Sequence, residues 1–229
     1  RHVGLLAANG YNAVNVFGRP RVGILSTGDE LIEPGGKLQS GQIYDCNRSM
    51  LLALAKQSNA QVSDMGRLPD NLFETTKLFQ SCAGQFDLII SSGAVSVGER
   101  DYLKPAFERA GGTIGLWKVA VKPGKPVMFG KLGGTALTAL PGNPMAVFLG
   151  FQLFVEPQLR TLLGLAVEKP KFRRGVADFS WERTGHREEY FPIRLATDTC
   201  NENGVLEKLG NGGSGSLYPL SMADGLGVV

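Results

Sequence analysis

The chain has 229 residues, 43% of them hydrophobic and 20% charged, with a net charge of +3. This suffices for one large domain or a medium and a small one, and the small charge, with no basic run, gives no case for nucleic-acid binding. Cys46, Cys82 and Cys200 form no C-x-x-C pair, and His2 and His186 are the only histidines, which argues against a disulfide framework, a zinc site and triad chemistry. No apolar run is long enough for a membrane span and no secretory signal opens the chain, so a reducing cytoplasm is expected.

RHVGLLAANG reads as the end of a helix closed by Gly10, so residues 1–18 are expected to finish a preceding region of a longer protein. A β-rich stretch, AVNVF (13–17), follows. RVGILSTGDE predicts a buried strand from Val22 to Leu25 running into a polar turn. NRSMLLALAKQSN (47–59) has helical spacing, with Asn47 as its N-cap. QVSDMG (61–66) reads as a strand, DNLFETTKLFQSC (70–82) as a capped helix, and FDLIISS (86–92) as a strand covered on both faces. GAVSVGER forms a glycine-bearing loop before a helix in DYLKPAFERAGG (101–112), where Pro105 belongs near the first turn. Strand-like segments run from Thr113 to Val121, Pro126 to Phe129 and Thr135 to Leu140. A long helix from Pro144 to about Leu163 has Asn143 as N-cap and proline at its first position.

This alternation predicts an α/β fold: a three-layer α/β/α domain with a mostly parallel sheet over residues 19–165. LGLAVEKPKF (163–172) reads as a linker. Segments near 172–182, 188–197, 205–209 and 226–229 read as short strands of a small all-β domain, residues 166–229.

Ligands of open α/β sheets bind beyond the carboxyl ends of the strands. STGDE (26–30), SSGAVSVGERD (91–101) and LPGNP (140–144) all fall there. Each also has a plain reading. Asp29 and Glu30 could cap a turn, Gly93 and Gly98 could permit one, and PGNP is a good helix start. Backbone N–H groups in such loops, and at a helix N-terminus, nevertheless suit phosphate oxygens. Asp29 and Asp101 could hold Mg²⁺, which takes few carboxylates besides water and phosphates. Gly210, Gly212 and Gly215 match G-x-G-x-x-G, but no helix follows and no βαβ unit surrounds them, so a β-domain loop is the better reading. Walker A is absent, since Pro126 follows Lys125.

VKPGKP (121–126) is either a rigid connector with solvated lysines or an anion site. Pro123 and Pro126 fix φ and stiffen the loop, so Lys122 and Lys125 offer two pre-positioned charges for a tetrahedral oxyanion. Arg187 and Arg194 could add a positive wall from the β domain, or be solvated strand residues.

These motifs, in order, resemble the molybdopterin molybdenumtransferases of the MoeA family, related to the E domain of gephyrin and to its plant counterpart. The resemblance rests on STGDEL (26–31), GQIYDCNRSML (41–51), SSGAVSVGERDY (91–102), VKPGKP (121–126), LPGNP (140–144) and SLYPLSMADGLGVV (216–229). It implies a MogA-like molybdopterin-binding domain followed by a β-barrel-like domain. It also implies insertion of molybdate into adenylylated molybdopterin, with Mg²⁺-dependent release of AMP.

Carried over by position, Asp29 and Asp101 would form the metal and pyrophosphate site, and with Lys122 and Lys125 the catalytic set. Thr27, Gly28, Ser92, Gly93, Ser96 and Gly98, with Pro141, Gly142 and Asn143, would line the pterin and phosphate pocket. Lys122, Lys125, Pro126, Arg187 and Ser214 would bind molybdate. Ala94 and Ala146 stand where family members often carry glycine and serine. The family's N-terminal region completes its homodimer and cleft, and is expected to be missing here, while the C-terminus is expected to stop within the last strand. The preceding adenylyltransferase and molybdoenzymes are implied partners. Two other functions fit the resemblance: a peptide-binding scaffold of the gephyrin type, and a molybdopterin adenylyltransferase on the same α/β domain.

Overall fold

The computed structural model describes residues 1–93, 102–168, 170–182, 185–196, 204–210, 215 and 217–229. Ser96, Gly98, Asp101 and Ser214 therefore lie outside the described residues. In chain order the first half contains α1 (His2–Ala8), β1 (Arg21–Thr27), β2 (Leu31–Ile32), β3 (Ile43–Tyr44), α2 (Cys46–Gln57), β4 (Gln61–Leu68), α3 (Leu72–Cys82), β5 (Leu88–Ser92) and α4 (Leu103–Arg109). The second half contains β6 (Thr113–Trp117), β7 (Val121–Lys122), β8 (Met128–Leu132), β9 (Thr135–Leu140), α5 (Pro144–Gly150), α6 (Glu156–Leu162), β10 (Val176–Ala177), β11 (Glu188–Leu195), β12 (Val205–Lys208), α7 (Tyr218–Ser221) and β13 (Gly225–Val228). A π-helical turn, Phe151–Val155, joins α5 to α6 in one continuous helix.

The main sheet has the order β4-β1-β5-β9-β8-β6. Its first four strands run parallel, β8 runs antiparallel to β9, and β6 runs antiparallel to β8. Side chains alternate between the faces of a strand. Val22 and Ile24 on β1, with Leu88 and Ile90 on β5, pack under Leu51, Ala55, Val147, Phe151, Val155 and Leu159 from α2 and the α5–α6 helix. Leu25, Ile89, Leu137 and Met128 meet Phe79, Cys82, Leu103 and Phe107 of α3 and α4 on the other face. Phe79 and Phe107 meet edge to face at 5.1 Å. Each fully buried aliphatic side chain contributes roughly 1.5–3 kcal/mol. The chain leaves β1 for β4 on one side and then crosses to β5 on the other, which makes the gap between β1 and β5 a topological switch point.

A second sheet has the order β10-β12-β11-β13, and β7 pairs with β11 alongside it. Trp181 stacks on Phe191 with ring centroids 4.3 Å apart, and Phe179 meets Phe191 edge to face at 5.5 Å.

Four sequence expectations change in detail. Residues 13–17 form no strand; they have no strand beside them to supply hydrogen bonds, and Phe17 instead packs against Gly164. The N-cap of α2 is Asp45, whose carboxylate accepts the Arg48 N–H at 3.0 Å, while Asn47 lies inside the helix. The strand expected from Thr113 to Val121 breaks after Trp117. Lys118 takes φ +80°, its N–H donates to Val127 O at 2.9 Å, and Val121–Lys122 leaves for β11. In the segment 172–182 only Val176 and Ala177 pair as a strand.

Candidate functional site

β1, β5 and β9 are in register at their carboxyl ends: Ser26 lies opposite Ser92, and Ser92 opposite Leu140. The loops that leave these strands therefore start side by side. Gly93 has φ +101° and donates its N–H to Leu140 O at 3.2 Å. A Cβ at Gly93 would collide with the carbonyl oxygen of Thr27, so only glycine lets the two backbones approach this closely. A Cβ at Gly142 would lie 3.5 Å from the Gly93 Cα. Thr27, Gly93 and Gly142 thus form one backbone-walled rim. At the same strand end the Ser91 and Ser92 hydroxyls are buried and have no hydrogen-bond partner among the described residues. Such groups are uncommon in folded interiors and become useful when a ligand supplies the missing partner.

The rim is held from below by α2. Ser26 Oγ donates to Asp45 Oδ2 at 2.5 Å, and Asn47 Nδ2 donates to Gly142 O at 2.7 Å. Arg48, only 5% exposed, donates to Asp45 Oδ2 at 3.1 Å and also pairs with Asp64 and Glu33. Burial works against its charge, but the hydrogen bonds to Asp64 and Asp45 outweigh that, and its pKa is raised. Burial pushes the Asp64 carboxyl up less than the Gly66 N–H and Arg48 push it down, so its pKa falls below 3.8. The tetrapeptide DCNR therefore ties the end of β1, the middle of β4 and the β9–α5 loop to one helix start.

Asp29 follows Gly28 at the end of β1 and is exposed. Its carboxylate lies 3.5 Å from Arg67 Nη1 and accepts the Asp70 N–H at 3.4 Å. A hard cation could reach this carboxylate. Its expected partner Asp101 lies outside the described residues, and among the described residues no cluster of three or more metal-binding side chains occurs.

The VKPGKP loop is a closed turn, with Val119 N–H donating to Lys125 O at 2.9 Å and a cis peptide before Pro123. It rests on the first turn of α5, where a Cβ at Gly124 would sit 3.5 Å from the Ala146 Cβ. On its other side β7 and β11 pair in parallel, Val121 opposite Glu188 and Lys122 opposite Glu189. Lys122 Nζ donates to Glu189 Oε1 at 3.2 Å; the lysine side chain is 41% exposed and the glutamate 4%. Arg187 Nη1 reaches Val121 O at 3.5 Å, and Lys125 is exposed. Arg194 pairs opposite Glu207 at the far end of β11, about 23 Å along the strand from Arg187, and does not join this group.

Residues 23–161 match the family described as a probable molybdopterin binding domain, and residues 174–229 match the MoeA C-terminal region, domain IV. The chain belongs to the MoeA family. It is 40% identical over 213 residues to the molybdopterin molybdenumtransferase of Haemophilus influenzae, covering 93% of this chain and 52% of that protein. It is also 40% identical over 168 residues to molybdopterin molybdenumtransferase 2 of Mycobacterium tuberculosis, covering 71% of this chain and 42% of that protein. A solved molybdopterin biosynthesis MoeA protein from Pyrococcus horikoshii aligns with TM-score 0.76 and 27% identity, covering 99% of this chain and 54% of that one. The chain thus spans about half the length of the curated relatives it matches.

Of the expected site residues in this MoeA-family chain, the structure joins Thr27, Gly28, Ser92, Gly93, Pro141, Gly142 and Asn143 at the strand-end rim. It joins Lys122, Lys125, Pro126 and Arg187 at the β7–β11 seam, and Ala146 links the two groups. Sequence reasoning missed Asp45, Asn47, Arg48 and Glu189. Asp45 was within reach, since aspartate is a strong N-cap. Nothing local marks Arg48 or Glu189 as buried.

Proposed function

We propose that this chain carries the molybdenum-insertion site of a molybdopterin molybdenumtransferase, with residues 19–165 as the molybdopterin-binding domain and 166–229 as the C-terminal β domain. The observation that carries this reading is the contact of the VKPGKP loop with the first turn of α5. That contact packs the backbone of the lysine loop against the helix that starts at the glycine-walled rim, and the β7–β11 pairing brings Arg187 to Val121 of the same loop.

The chemistry follows from charge. Molybdate is a tetrahedral dianion, and Lys122, Lys125 and Arg187 supply cationic donors that hold and orient it. Ser214 is the fifth expected contact, with Pro126 shaping the turn. The glycine-walled backbone rim at Gly28, Gly93 and Gly142 leaves room for the phosphates of adenylylated molybdopterin, and backbone N–H groups of the loop carrying Ser96 and Gly98 would suit their oxygens. Fixing the dithiolene and the oxyanion together turns a bimolecular encounter into a positioned one. A Mg²⁺ held by Asp29 and Asp101 would neutralise phosphate charge as AMP is released, and the exposed Asp29 carboxylate suits such an ion. In this reading the intact protein works in the cytoplasm as a homodimer. It receives its pterin from an adenylyltransferase and passes its product to molybdoenzymes.

Replacing Lys122 and Lys125 by alanine in the intact protein is expected to lower molybdate insertion about 100-fold, as loss of key electrostatic contacts does elsewhere. Unchanged insertion would sink the assignment. Incubation with ATP and unmodified molybdopterin is expected to yield no adenylylated pterin; its formation would favour the adenylyltransferase reading.

A further inference from the structure

We infer that Glu189 sets the anion affinity and selectivity of the lysine loop by holding Lys122 in place while offsetting its charge. This rests on the oxyanion reading above and adds a residue to it. Glu189 sits on β11, directly opposite Lys122 on β7, and its side chain is almost wholly buried. A buried carboxylate is retained only where partners compensate its lost hydration. Lys122 is one such partner, at 3.2 Å.

The geometry has two consequences. First, Lys122 is not a loose surface cation. Its ammonium is anchored on Glu189, and 41% of its side chain remains open to solvent, so an anion can approach it from that side. Second, an incoming dianion meets a lysine already partly neutralised. Bare lysines beside an arginine would bind any abundant dianion. With Glu189 in place, an anion must gain enough from Lys125, Arg187 and the loop to overcome a nearby carboxylate. Affinity is therefore set below what the cations alone would provide, so that at a given concentration a weakly fitting dianion no longer occupies the site while a well-fitting one still does.

Glu189→Gln keeps the hydrogen-bond acceptor and removes the charge. In the intact protein it is expected to lower the KM for molybdate about three- to tenfold, with kcat changing less than KM. Sulfate is expected to become a stronger competitive inhibitor. Lys122→Met alone raises the molybdate KM, and in that background Glu189→Gln is expected to lose its effect. Such dependence on Lys122 would not arise from a purely structural glutamate. If Glu189→Gln changes the molybdate KM equally with and without Lys122, or leaves both KM and sulfate inhibition untouched, the inference fails. If Lys122→Met itself leaves the molybdate KM unchanged, the oxyanion reading fails instead, and the two failures are distinguishable.

Discussion

The strand-end rim and the β7–β11 seam lie on the two sides of one α5 helix turn, yet different forces build them. The rim is a matter of backbone approach. Three parallel strands bring Thr27, Gly93 and Gly142 into contact, and a buried helix start braces them through Ser26, Asp45, Asn47 and Arg48. Among the described residues, the seam rests on a two-residue strand and on the Lys122–Glu189 pair, whose lysine is half-exposed. Close packing leaves few alternative arrangements. An ion pair that solvent reaches is adjustable at small cost. A rigid wall thus stands beside a tunable charge, and under the function proposed above the first would grip the pterin and the second the oxyanion.

That contrast makes graded predictions. The largest effect is expected at the brace. Arg48→Ala leaves the buried Asp45 carboxylate without its cation, and should cost about 3–5 kcal/mol in chemical denaturation. Gly93→Ala should follow, at about 2 kcal/mol, because alanine is strained at this φ and its Cβ meets the Thr27 carbonyl. Replacing both Lys122 and Lys125 by alanine should cost about 1–2 kcal/mol, mostly from leaving the buried Glu189 carboxylate without this cation, while abolishing most activity. A loss as large as that of Arg48→Ala would show that the seam, too, is a rigid structural element. The smallest effect concerns acid. The Asp64 carboxyl titrates lower in the folded chain than its ordinary 3.8, so its contribution is complete above that pH and fades as pH drops through the folded value. Asp64→Asn should therefore lower stability by that contribution near neutrality and flatten the profile below about pH 4. A variant with an unchanged acid limb would show that Arg48 is balanced by Asp45 and Glu33 alone.

Much of the α/β domain was legible because its signals are local. FDLIISS is apolar on both faces and became β5, and PGNP announced the start of α5. The turn in VKPGKP was equally plain from its prolines and glycine. The second sheet was less so. Its strands are short, and in the segment 172–182 pairing covers only Val176 and Ala177, because a strand exists only where a neighbour accepts its hydrogen bonds. The same reason defeated the β-rich residues 13–17. Glu189, inside HREEYF, reads like any exposed strand residue. It is buried because β7 leaves the main sheet and delivers Lys122 to it.

The order of the motifs carried the resemblance to the family that the matches over residues 23–161 and 174–229 bear out. The strand-helix alternation follows from hydrophobic period and turn residues, each readable within a few positions. Folding decided which groups act together. It set Asn47 against Gly142 and Arg48 beneath the rim, sent Arg194 away from Arg187, and paired Lys122 with Glu189. Such partnerships join residues as many as 95 positions apart. Their strength depends on burial and distance, which local sequence pattern does not encode.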